Sequence, residues 1–295
     1  MRLAGAPSRE LPRLRAGLPP PRQVDRLRWV AGVAVETFGL RVGLRTSAAE
    51  ALLRAADRLP PGRRLSTGRV DLLYSLALGG PGPRPGMRRS HRLYCGDVRI
   101  ASSLGLEPVL DALENHARLH VAARSRRGVF LRAGAVAWGG RAVVIPGASR
   151  SDTTALVAEL VKAGAGSLSG EFAVIRDDRV VPYPKLLSVH EAGGEGRPRP
   201  VAASELRGRH QRAALPIGLV VLGTLERGGA GRARRLTRGR ALLSLLPHAV
   251  AARVAPREVL AALEGLVRAV PVVLVKRGDA RAAARRILGW MERTG

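Results

Sequence analysis

Residues 143–154 read VVIPGASRSDTT. A short apolar run passes into a loop of small and polar residues, and the loop passes into TTALVAELVKAG, whose apolar positions recur at helical spacing. A buried strand that feeds a helix through so short a loop commits this part of the chain to an α/β arrangement. It is also the frame of the phosphate-binding pattern G-x-x-x-x-G-K-[ST]. Gly147 fills the first glycine and Thr154 the closing hydroxyl, with Ser149, Arg150 and Ser151 between them. Asp152 stands where the second glycine belongs, and Thr153 where the lysine belongs. The frame of a nucleotide site is kept while its main cation is lost.

Hydrophobic residues make up 46% of the 295 residues and aromatics only 3%, so the core is expected to be Leu, Val and Ala. The net charge of +27 points, taken alone, to an anionic partner such as nucleic acid, phosphate or a membrane surface. Its make-up argues otherwise. Lys occurs only at Lys162, Lys185 and Lys276, and the arginines are spread along a chain rich in Ala, Gly and Pro, the composition of a GC-rich genome. Aromatics interleaved at base-stacking spacing are missing, which weighs against an RNA or single-stranded DNA site. The one cysteine, Cys95, excludes an internal disulfide and a Cys-rich metal site, and fits a reducing, cytoplasmic setting. The opening MRLAGAPSRELPRLRAGLPPP has no apolar core of signal-peptide length. The longest apolar runs, near 215–225 and 270–275, are too short to span a bilayer and read as buried strands.

Three regions follow. Residues 1–23, rich in Arg and Pro, read as a flexible tail. Residues 24–126 read as a small mixed α/β domain: strands in WVAGVAVETFGLRVGLRT, a helix in SAAEALLRAADRL with Ser47 as N-cap, a strand in VDLLYSLALGG, a hairpin in HRLYCGDVRIASS and an amphipathic helix in LEPVLDALENHARLHVAARS. Residues 127–295 hold two strands around a Gly139–Gly140 turn, then the loop and its helix. After these come short strands about an Asp177–Asp178 turn, the buried strand LPIGLVVLGTLE, two helices, the strand PVVLVKRG and a closing helix.

The block from Gly128 to Val189, with LTRGRALLSLLPHAV further on, resembles the HPr serine kinase-like P-loop proteins, which are related to phosphoenolpyruvate carboxykinases. The order strand, Gly-Gly turn, strand, P-loop, helix, then LSGEFAV and PYP, carries the resemblance better than the loop does. It implies an HPr kinase/phosphoenolpyruvate carboxykinase-like P-loop domain behind the small leading domain, an ATP-dependent serine kinase ancestor using ATP and Mg²⁺, and a homo-oligomer. Active members have a loop close to G-x-S-x-S-G-K-[ST]; here Gly147, Ser149, Ser151 and Thr154 match, and Asp152 and Thr153 do not. Their acidic pair after the next strand is reduced to Gly170-Glu171, and their histidine in the strand before the loop is replaced by Arg132.

These changes act together on one chemistry. The loop lysine holds the β- and γ-phosphates and the charge of the transition state. A carboxylate at Asp152 would repel a phosphate by roughly 4 kcal/mol at ~4 Å and an effective dielectric of ~20. The expectation is a degenerate nucleotide site, impaired in catalysis and acting through a protein partner or a phosphate-bearing ligand, with ATP and Mg²⁺ bound weakly or not at all. Glu171 is the remnant catalytic acid, and Thr154 with Glu171 the remnant Mg²⁺ ligands. Two alternatives stay open: an active kinase in which Arg150 or Arg132 replaces the lysine charge, and a basic nucleic-acid-associated protein. Asp152 is expected to cap the following helix, and His116 and His120 to share one helix face without a metal. Pro182–Tyr183–Pro184 is expected to fix the chain beside a strand, and Arg232, Arg234, Arg235, Arg238 and Arg240 form the strongest local basic cluster.

Overall fold

The computed structural model describes residues 24–82, 84, 86–147, 150–185, 187–189, 199–206, 208–225, 234–277 and 280–294. The proposed tail of residues 1–23, His190 and Arg232 lie outside the described residues. The chain opens with a tight hairpin of β1 (Ala31–Thr37) and β2 (Leu40–Thr46). Its two turn residues, Phe38 and Gly39, have φ of 47° and 80°, the primed geometry that matches strand twist. After α1 (Glu50–Ala56) and the short β3 (Arg64–Leu65) come β4 (Leu72–Ala77), β5 (His91–Cys95) and β6 (Val98–Ser103). These form a six-stranded sheet in the order β3-β1-β2-β4-β5-β6, with β2 and β4 parallel and the other pairs antiparallel. The long α2 (Leu106–Arg124) buries Val109, Leu110, Leu113, Ala117 and Val121 against Leu44, Tyr74 and Leu93 of that sheet. The recurrence from Leu110 to Leu113, Ala117 and Val121, three or four apart, is what seats one face of a helix on a sheet.

The second sheet begins with the hairpin β7 (Val129–Trp138) and β8 (Arg141–Pro146), followed by α3 (Arg150–Lys162). Next come β9 (Gly166–Ser169), β10 (Phe172–Arg176) and β11 (Arg179–Val181), while β12 (Leu187–Val189) and β13 (Arg199–Val201) pair apart from both sheets. The chain closes with β14 (Leu215–Leu225), β15 (Arg234–Arg235), α4 (Arg238–Leu245), α5 (Pro256–Ala269), β16 (Val272–Arg277) and α6 (Ala280–Thr294). The order is β11-β10-β7-β8-β14-β16-β15, with β9 also on β7. Its centre, β8-β14-β16, is parallel.

Strand alternation divides the core between the two faces. Val143, Ile145, Leu219 and Val221 pack under α3 and α6, while Ala142, Val144, Val220 and Leu222 pack under α4 and α5. The class is mixed α/β, two mixed sheets with six α-helices among the described residues, as the alternation of strands and helices predicts. No described helix is long and apolar enough to cross a membrane. One local expectation fails. α1 starts at Glu50, with Ala49 at its N-cap, so Ser47 does not cap it; the Ser47 hydroxyl accepts the Leu78 N–H at 2.8 Å and ties the strand end instead.

Candidate functional site at the loop end of the parallel strands

Central strand β8 ends at Pro146, and after Gly147 the chain enters α3 at Arg150. The carboxyl end of a parallel strand, opening onto a helix N-terminus, is where open α/β sheets bind ligands and where backbone amides favour an anion. Here the connection is short. Arg150, Ser151 and Asp152 already belong to the first turn of α3, so only two residues separate Gly147 from the helix. Asp152 is thus the third helical residue and not the expected cap; its backbone lies in the turn that follows the cap position. Ser149 lies outside the described residues, as do the side chains of Arg150, Ser151 and Asp152.

Thr153, at the lysine position, is 5% exposed, and Thr154 is buried to the same degree. The tightness comes from Gly134 on β7. A Cβ added there would stand 3.2 Å from Thr153 Cγ2 and 2.3 Å from Val157 Cγ2, so only glycine lets α3 approach the strand this closely. The Thr153 Oγ1 is buried with no hydrogen-bond partner among the described residues.

β7 brings Arg132 to the same end. Ala133 pairs with Pro146, which puts Arg132 one step on, level with Gly147, where its side chain is exposed. A bridge between Leu131 and Ala249 draws the preceding His248 alongside. Burial, and then the Arg132 charge, hold the His248 imidazole below its ordinary pKa.

Glu171 reaches this edge through its backbone, its carbonyl accepting the Ala133 N–H at 3.1 Å. Its carboxylate is engaged elsewhere. It pairs with Arg118 of α2, and Lys185 Nζ stands 3.2 Å from its Oε2. Lys185 also pairs with Glu114 at 2.8 Å, and Arg58 with Glu114 at 3.4 Å. Burial pushes the Glu114 carboxyl up, but the hydrogen bond from Lys185 and the charges of Lys185, Arg58 and Arg118 outweigh it and hold the group below the usual range. The side chains of Arg118 and Glu171 are 9% and 10% exposed. Sequence reasoning missed Arg118 and Lys185. Arg118 did carry a signal: it is a charged residue on the buried stripe of α2, beside Ala117 and Val121.

The remaining candidates lie away from this loop. Asp177 and Asp178 form the β10–β11 turn, with φ of 49° and 60°. The His116 and His120 rings stack at 5.8 Å, and His116 Nδ1 lies 2.7 Å from the Tyr74 hydroxyl. No cluster of three potential metal ligands occurs among the described residues. Tyr183, between its two prolines, is buried in a ring cluster with Phe38, Phe130 and Phe172. Arg234, Arg235, Arg238 and Arg240 are exposed along β15 and the start of α4. Compared with known proteins, the chain matches no protein-family model, and no curated protein is significantly similar to it.

Proposed function

We propose that the chain is an HPr serine kinase-like protein whose nucleotide site no longer supports phosphoryl transfer, and that it works by binding a protein partner or a phosphate-bearing ligand at the loop end of its parallel strands. The observation that carries this reading is the burial of Thr153 against Gly134, at the place where the phosphate-binding lysine belongs. Winding residues 150–152 into the first turn of α3 leaves little loop to wrap a phosphate. The donors left there fit Mg²⁺-nucleotide poorly: the Thr154 side chain is buried and the Glu171 carboxylate serves Arg118 and Lys185. Arg132 and the neutral His248 beside it offer a cation and a hydrogen-bonding ring to an anionic group.

Arg132 also favours a second reading, an ATP-dependent kinase in which this arginine replaces the lysine charge. It is exposed, level with Gly147, and pairs with no described residue. Calorimetry with Mg-ATP separates the two. A degenerate site shows no saturable binding up to ~1 mM ATP, a free energy no better than about −4 kcal/mol. Micromolar binding abolished by Arg132→Ala establishes the second reading and overturns the first.

A further inference from the structure

A cleft of about 870 Å³ lies between the two sheets on the α5 side, the opposite face of the second sheet from α3 and its loop. That volume is in the range of small-molecule sites, roughly 300–1,000 Å³. One wall is apolar, made by Ala255 at the N-cap of α5, Val259 and Ala262 within it, and Ile175 of β10. The rim is basic. Arg126 is committed to Asp71 at 2.9 Å and Arg127 to Glu36 at 3.2 Å, whereas Arg124 and Arg176 are exposed and pair with no described residue. Asp177 and Glu258 also line the cleft, so its positive charge is local to the two uncommitted arginines.

The walls are built rather than incidental. His120 faces the cleft from α2 with its ring stacked on His116, which is itself held by Tyr74. Burial, then Arg124 and His116, bring the His120 pKa down to about 4, so near neutral pH it offers a hydrogen bond and no charge. At Gly128, φ is +110° and a Cβ would come within 2.8 Å of the Ile175 carbonyl oxygen, so the β7–β10 wall closes only with glycine there.

We propose that this cleft binds a small amphipathic anion, its apolar body against α5 and its anionic head between Arg124 and Arg176. An apolar wall beside unpaired cations is complementary to such a molecule and to neither of its parts alone. The chain's own residues 1–23 do not suit it, since they carry five arginines and one glutamate.

The test uses two fluorescent probes on the full chain: 1-anilinonaphthalene-8-sulfonate and its uncharged relative N-phenyl-1-naphthylamine. The sulfonate is expected to saturate at one per chain and to bind about tenfold more tightly than the uncharged probe, the scale of one charge-assisted hydrogen bond. Arg124→Ala with Arg176→Ala, both at the exposed rim, should remove that advantage and leave the uncharged probe unchanged. Ala255→Trp should weaken both probes by filling the apolar end. Unsaturable sulfonate binding, equal affinity for the two probes, or a double variant that binds the sulfonate as tightly as the parent overturns the proposal.

Discussion

Thr153 carries a buried hydroxyl with no partner among the described residues, at the position of the lysine in the phosphate-loop pattern. A hydroxyl buried without a partner costs about 1–3 kcal/mol, and valine has the same shape with similar helix propensity. Thr153→Val should therefore stabilise the protein by about 1 kcal/mol, read as a higher urea midpoint at an unchanged m-value. A lower midpoint would mean that the hydroxyl is used. The identity of this residue was plain in the sequence, as was its mismatch with the phosphate-loop pattern. Its burial was not, because that follows from the absence of a side chain at Gly134, nineteen positions earlier on strand β7. His120 poses the same problem. Its spacing from His116 showed a shared helix face, but the Tyr74 contact and the cleft come from the partner sheet.

At the scale of elements, the chain of charges Arg58–Glu114–Lys185–Glu171–Arg118 joins α2 to the loops of the second sheet, and the ring of Phe38 joins the β1–β2 turn to the rings of Phe130, Phe172 and Tyr183. With three phenylalanines in the whole chain, all of them stand in this one cluster. The expectation of an aliphatic core holds for most of the two sheets, Tyr74 apart, and fails at the junction, where Phe38 and Phe130 meet edge to face at 4.9 Å. Breaking a buried ion pair from one side leaves a charge without its partner. Arg118→Met is expected to cost about 3–5 kcal/mol, and Arg118→Met with Glu171→Leu distinctly less than the sum of the two single changes. Additive losses in a denaturant double-mutant cycle would show that the two charges are not coupled. Strand and helix positions were legible from periodicity along most of the chain, including β14 and α2. The starts of α1 and α3 were not, since Ser47 and Asp152 are good capping types whose roles depend on where the neighbouring strand ends.

For the molecule as a whole, burial lowers the pKa of three histidines on or beside the two sheets: His116, His120 and His248, with His120 reaching about 4. An unfolded histidine titrates near ~6.5. Between these values the unfolded chain binds more protons than the folded one, so stability is complete above pH ~6.5 and declines as the pH falls toward 4. The urea midpoint should drop over that window, and His120→Gln should flatten the drop; parallel curves for parent and variant would refute the assignment. Glu114, whose carboxyl is held below its ordinary range, adds a further loss only at lower pH. The sequence by itself determined the α/β class, the strand–loop–helix frame and the missing loop lysine, because hydrophobic period and residue type are local properties. Tertiary structure alone decided that Thr153 turns inward, that Glu171 serves Arg118 and Lys185, and that Arg124 and Arg176 face one cleft. Each of these depends on side chains from distant segments meeting across a sheet face, and no local pattern encodes such a meeting.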